Sequence, residues 1–131
     1  MRFLLDTHVW LWLQVSPERL DPEVLDQLGN PENALYLSAA SAWEIAIKSG
    51  LGKLKLPLDP ARYVLTRLER TGIREMAVSA AHALRVAALP DHHRDPFDRL
   101  LVAQAVIEQL TLVSADPFLR RYDVTYLSAT A

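Results

Sequence analysis

In the stretch HRDPFDRLLVAQA, His93 to Ala105, a charged loop turns into an apolar segment within a few residues, and Asp95 and Asp98 sit at the change. Burying a carboxylate without a partner is costly, so an acid at the border of an apolar face needs an explanation. Asp95 has one: it precedes Pro96, the arrangement of an N-cap followed by proline at the first helical position. Asp98 could reach back to that cap, but it shares a helical face with Leu101, Val102 and Ala105, at spacings of three, four and seven. A residue needed only for capping has no reason to lie on the core face.

Three more acids raise the same question. Asp6 ends the apolar run FLL, Glu44 lies inside SAASAWEIAIKSG, and Asp116 follows LVSA. Each has an ordinary structural explanation. Asp6 and Asp116 suit helix caps, and Glu44 can pair with Lys48 one turn on, worth about 0.2–0.5 kcal/mol. Trp43, Ile45, Ile47 and the alanines leave Glu44 little polar face, which points to a partly buried pocket. Taken together, Asp6, Glu44, Asp98 and Asp116 make a possible cluster. Crowded carboxylates raise one another's pKa unless a cation intervenes, and hard oxygen ligands suit Mg²⁺ or Mn²⁺. Such an ion beside a phosphodiester stabilises charge developing at phosphorus and activates a bound water.

The elements must bring these acids together. The pattern predicts strands at Arg2–Leu5, Leu35–Leu37, Glu75–Val78, Leu110–Ser114 and Val124–Leu127. It predicts helices at Val9–Val15, Pro22–Leu28, Ala39–Lys48, Pro60–Thr71, Ala80–Ala88, Pro96–Gln109 and Pro117–Arg121. Short, continuously apolar strands alternating with helices imply an α/β fold around a mainly parallel sheet. Sites in such sheets lie beyond the carboxyl ends of the strands, where Asp6 and Asp116 fall.

Length and composition bound the rest. The 131 residues predict one domain spanning 1–131, and 50% hydrophobic residues supply a core. With no cysteine there is no disulfide framework, thiol nucleophile or thiolate metal site. MRFLLDTHVWLWL is interrupted by Asp6 and His8 and leads to no small-residue cleavage motif, and no apolar run is long enough to span a bilayer. The expectation is a cytoplasmic chain with no membrane association. The net charge of −2 excludes a globally basic nucleic-acid coat. Lys48, Lys53 and Lys55, the chain's three lysines, nonetheless fall in one short stretch that could meet phosphates.

LLDTH, SAASAWEIAIKSGLGKL, DHHRDPFDRLLVAQA and LVSAD, in this order, resemble the PIN-domain nucleases, more narrowly the VapC-type toxins of bacterial toxin–antitoxin modules. The resemblance covers essentially the whole chain. It implies an α/β/α fold with a small, mainly parallel sheet. It further implies that Asp6, Glu44, Asp98 and Asp116 hold Mg²⁺ or Mn²⁺ for RNA phosphodiester cleavage, and that Thr7 and Ser114 are hydroxyls supporting the first and last acids. Asp95 stands as a second candidate for the role given to Asp98. The partners implied are RNA, a small antitoxin whose C-terminal segment blocks the acidic pocket, and a second copy in a homodimer. His8 and Ser114 depart from the commoner Asn or Ser and Thr of the family without removing an acid.

Beside this pocket, Arg94, Arg99 and Lys48 are candidates for RNA contact, whereas His92 and His93 are expected in solvent, and Trp10, Trp12 and Trp43 in core or interface packing. A phosphatase of the haloacid-dehalogenase class also places Asp after its first strand, but it needs a second Asp where this chain has His8. A PIN nuclease of RNA processing and a non-catalytic PIN binding module are the alternatives within the fold.

Overall fold

In a computed structural model, described for residues 1–130, β1 (Arg2–Leu5) is the centre of a five-stranded, wholly parallel sheet. The remaining strands are β2 (Ala34–Ser38), β3 (Arg74–Met76), β4 (Thr111–Ser114) and β5 (Tyr126–Ser128), in spatial order β3-β2-β1-β4-β5. The helices are α1 (Thr7–Val15), α2 (Pro22–Gly29), α3 (Ala39–Gly50), α4 (Pro60–Thr71), α5 (Ala80–Arg85) and α6 (Pro96–Glu108).

The central strands are apolar on both faces because both are covered. Phe3 and Leu5 pack into one core with Val9 and Trp10 of α1, Val24 of α2 and Tyr63 of α4. Leu4, between them, packs into the other with Leu101, Val102 and Ala105 of α6. Val113 and Leu112 of β4 divide between the same two cores, as the two-residue period of a strand requires. The result is the expected three-layer α/β/α arrangement.

The strand order also locates the site. From β1 the chain moves outward through β2 and β3, then returns to place β4 on the other side of β1. The switch point lies between β1 and β4, and ligand crevices in open α/β sheets form there, outside the carboxyl ends. Asp6 follows β1 directly and its N–H donates to the Val113 carbonyl at 2.9 Å, tying the two strand ends together. α3 touches α1, α4 and α6, which carries Glu44 over the same edge.

Several element bounds differ from the sequence reading. α1 begins at Thr7, directly after Asp6, two residues before its first predicted position. β3 pairs only with Tyr36–Ser38 of β2 and stops at Met76, so Ala77 and Val78 are not strand. β5 runs Tyr126–Ser128, one to two residues late, because its register is set by Leu112–Ser114 of β4. The helix predicted to Ala88 closes at Arg85 and tightens into a 3₁₀ turn, and Pro117–Arg121 is 3₁₀ throughout. Gln109 caps α6 in the left-handed region (φ 55°), which turns the chain into β4 within two residues.

Candidate functional site

Asp6, Glu44, Asp98 and Asp116 line one cavity of about 310 Å³ at the switch point, together with His8, Trp12, Lys48, Asp95 and Ala115. The four acids come from the end of β1, the middle of α3, the first turn of α6 and the end of β4. The outermost two, Asp6 and Asp116, are 110 residues apart in sequence and meet because the sheet places β1 beside β4.

Asp6 is 5% exposed. It occupies the N-cap position of α1, yet its side chain makes no capping hydrogen bond. Its Oδ2 instead accepts from Ser114 Oγ at 2.7 Å. The carboxyl is raised above its ordinary range, chiefly by burial, with the Ser114 hydroxyl acting in the opposite direction. Glu44 is 4% exposed, so its place in a pocket is borne out, and its Oε2 accepts from Lys48 Nζ at 2.6 Å. The Lys48 ammonium is raised, first by that hydrogen bond.

Asp98 and Asp95 take different roles. Asp95 caps α6, its Oδ1 accepting from the N–H groups of Phe97 and Asp98 at 2.8 and 3.3 Å. This leaves the Asp98 carboxylate to the cavity. Its pKa is pushed up to about 8, first by burial and then by the charges of Asp6, Asp95, Glu44 and Asp116. Asp116 does two things at once. Its Oδ1 caps the Pro117–Arg121 turn by accepting from Phe118 N–H at 2.9 Å, and its Oδ2 lies 2.8 Å from His93 Nε2.

The hydroxyls and cations are placed less uniformly. Ser114 supports both acids: its Oγ donates to Asp6 and accepts from the Asp116 N–H at 3.0 Å. Thr7 does not support Asp6; its hydroxyl donates to Ser41 Oγ at 2.8 Å, fastening α1 to α3. Arg99 does not point outward to phosphate. Its guanidinium donates to the carbonyls of Val86, Pro90 and His93 and to Tyr122 Oη, and so pins the loop before α6. Arg94 is exposed beside the site, and Lys48 lies in its wall.

His93 is the residue the sequence reading misplaced. Rather than standing in solvent, its ring is mostly covered, and Nε2 approaches Oδ2 of both Asp116 (2.8 Å) and Asp98 (3.3 Å). One ligand atom from each of these three residues falls within 4.8 Å of the others. The available signal was local: His93 stands two residues before a capping Asp, where its ring meets the main chain of the cap. His92 is exposed as expected. Trp10 is core, edge-on to Tyr63, whereas Trp43 is 63% exposed and edge-on to Phe97.

The donor set fits a hard divalent cation. Four carboxylates converge, burial and then the repulsion of its neighbours favour the neutral form of Asp98 near neutral pH, and Lys48 is already engaged by Glu44. A divalent cation among these oxygens would remove the repulsion and favour the charged forms.

A family model described as PIN domain matches residues 3–124. Ribonuclease VapC22 of Mycobacterium tuberculosis (strain ATCC 25618 / H37Rv) is 28% identical over 120 residues, covering 91% of this chain and 90% of that protein. Ribonuclease VapC16 of the same strain is 52% identical over 50 residues, so the matched part spans 38% of this chain and only 36% of that protein. Among solved structures, VapBC2 from Rickettsia felis, bound to a DNA fragment from their promoter, aligns with a TM-score of 0.71 at 18% identity, over 97% of this chain and 98% of that one. VapBC-1 from nontypeable Haemophilus influenzae aligns with a TM-score of 0.69 at 18% identity, over 100% of both chains. At these identities the structural likeness is one of fold.

Proposed function

The chain belongs to the PIN-domain family, and from that premise we propose that it is a metal-dependent endoribonuclease, the toxin of a toxin–antitoxin pair. The observation that carries the chemistry is the meeting of Asp6, Glu44, Asp98 and Asp116 in one cavity at the switch point, with Asp98 pushed up to about 8. An acid perturbed by burial and by neighbouring charges in a cleft is a functional-site candidate. The relatives named ribonuclease VapC support RNA as the substrate, and the VapBC complexes support a protein partner.

Asp6, Glu44, Asp98 and Asp116 are the residues that would hold Mg²⁺ or Mn²⁺. Such an ion, when bound, supplies an activated water and neutralises charge at the phosphodiester. The chain's own contribution is positional. Ser114 orients Asp6, Lys48 orients Glu44, and the Asp95 cap fixes the first turn of α6 so that Asp98 faces the cavity. A second groove of about 480 Å³ adjoins the acids, sharing His8, Trp12 and Lys48 with their cavity. All three lysines of the chain line it, with Arg19. Cations beside an acidic centre suit the flanking phosphates of a bound RNA strand. Its apolar walls, Leu11, Ile45, Leu54 and Leu56, suit an antitoxin segment that covers the acids.

The homodimer reading rests on α3. Trp43 and Ile47 of α3 and Leu51, its C-cap, recur at intervals of four and are 63%, 37% and 64% exposed, forming an apolar stripe along the helix that carries Glu44. Stripes of this kind mark association surfaces. No helix among the described residues is long and apolar enough to cross a membrane. We place the activity in the cytoplasm, where its RNA substrate is found, and assign residues 1–131 to one domain.

The test is cleavage of total cellular RNA by purified wild type and Asp6→Asn, with Mg²⁺, with Mn²⁺ and with EDTA. Discrete products that require metal and disappear in the variant support the nuclease, and sequencing their ends names the target. A folded, antitoxin-free wild type that binds RNA without cutting it under either metal overturns the enzymatic reading in favour of a binding module.

A further inference from the structure

His93 touches two of the acids, and its surroundings determine which role it has there. The residue is held on three sides: its main-chain N–H donates to Tyr122 Oη at 2.9 Å, its main-chain carbonyl accepts from Arg99 Nη1 at 3.3 Å, and Phe118 packs edge-on to the ring at 6.1 Å. Most informative is the rear nitrogen: Nδ1 accepts the Asp95 main-chain N–H at 3.0 Å. A main-chain amide is always a donor, so Nδ1 carries the lone pair and the neutral ring bears its proton on Nε2. Nε2 is the atom that faces Asp116 and Asp98.

A protonated nitrogen cannot ligate a metal; it can only donate. His93 also lies outside the residues that line the acidic cavity, and lines instead the neighbouring hollow with Asp91, His92, Arg94 and Phe118. It reaches the two carboxylates from that neighbouring hollow.

We infer that His93 is a positioning residue rather than a metal ligand: its Nε2–H bridges Oδ2 of Asp116 and Asp98 and fixes both carboxylates, one after β4 and one on α6, in the orientation that binds the divalent cation. This rests on the metal-site reading above and adds to it the group that joins the two halves of the donor set. Among the described residues, the Asp116 carboxylate is otherwise held only by its cap to Phe118, and no other hydrogen bond to the Asp98 carboxylate is found. Partners behind the ligands typically change metal affinity by roughly 10–100-fold when removed.

The experiment measures Mn²⁺ binding by calorimetry to wild type, His93→Ala and His93→Gln, each checked for folding by its thermal transition without metal. Glutamine extends an N–H donor to about the reach of Nε2; alanine has none. The expected result is a roughly 10–100-fold weaker Mn²⁺ affinity in His93→Ala and near wild-type affinity in His93→Gln. Equal binding by wild type and a folded His93→Ala overturns the inference alone, as does a His93→Gln that binds as poorly as alanine. A wild type that binds no Mn²⁺ overturns the metal-site reading and this inference with it. A separate readout needs no activity: long-range proton–nitrogen correlation spectra should show the ring proton on Nε2 without metal and still there after Mg²⁺ is added. Loss of that proton on adding Mg²⁺ would make His93 a ligand and overturn the inference.

Discussion

Ser114 Oγ donates to Asp6 Oδ2 at 2.7 Å across 108 residues of sequence, joining the carboxyl ends of the two strands that flank the switch point. Both residues are buried, so the hydroxyl is the polar partner that makes the position of Asp6 tolerable. Ser114→Ala is expected to lose about 1–3 kcal/mol of stability, the range for leaving a buried polar group without its partner, whereas Ser114→Thr keeps the donor. Urea unfolding with and without Mn²⁺ checks this. An alanine variant as stable as wild type in both conditions would contradict it.

Asp98 is held in a place that costs the metal-free protein stability. Asp98→Asn replaces the buried ionisable carboxyl by an amide that cannot charge, at nearly constant shape. It should reduce metal-dependent cleavage at least about a hundredfold while melting no lower than wild type in EDTA. A variant that loses stability in EDTA along with activity would point to a structural role for the carboxylate instead.

The same carboxyl predicts a pH dependence. Its pKa is raised from the ordinary value to about 8 in the folded chain, so between roughly pH 4 and pH 8 the folded state binds more protons than the unfolded one. Stability from this group is complete at the acid end and is lost as pH rises through about 8. Asp6, also raised, acts with the same sign. In EDTA, the melting temperature of wild type should therefore fall relative to that of Asp98→Asn as pH rises from 5 to 9, and Mn²⁺ should narrow the gap by restoring wild type. Parallel melting curves for the two proteins across that range would refute the assignment.

Lys53 and Lys55 are exposed on the groove beside the acids and touch no acid in the site. Reversing both to glutamate should weaken RNA binding without altering the fold. Each lost phosphate contact should flatten the salt dependence of log affinity by about 0.7 for a single strand. Anisotropy titrations of a short RNA at several salt concentrations, in an Asp98→Asn background that does not cut, measure both effects. Unchanged slope and affinity would send the RNA along another face.

Trp43→Glu and Leu51→Glu place charges on the exposed stripe formed by α3 and its C-cap. Sedimentation should show a dimer for wild type and a monomer for each variant, with the thermal transition retained. A wild type that is already monomeric at high concentration would leave the stripe to the antitoxin rather than to a second copy.

Most of this architecture was legible along the chain, because the signals are local. Continuous apolar runs such as FLL and LVS mark strands buried on both faces, and Asp-Pro pairs at Asp21, Asp59, Asp95 and Asp116 mark helix starts, all four confirmed as side-chain caps. The preference for Asp98 over Asp95 rested on the apolar face that Asp98 shares with Leu101, Val102 and Ala105, and on the Asp-Pro pair that makes Asp95 a cap. The bounds of β3 and β5 were not legible, because a strand ends where its neighbour stops pairing, and the neighbour lies far off in sequence.

The residue types of the site, and the order of motifs that joins them to a family, belong to the sequence by itself. What each side chain does with its polar atoms was decided only by tertiary structure. Thr7 and Ser114 look alike as hydroxyls beside acids, but only Ser114 reaches Asp6, because β4 lies alongside β1 while Thr7 turns toward α3. Arg99 looks like a phosphate contact until the loop before α6 folds over it and takes its guanidinium. His93 looks like a solvent-exposed loop residue until β4 brings Asp116 within 2.8 Å of its ring. Hydrogen bonds act over about 3 Å, and which donors come within that distance of which carboxylates depends on contacts between segments up to 108 residues apart, which no local pattern records.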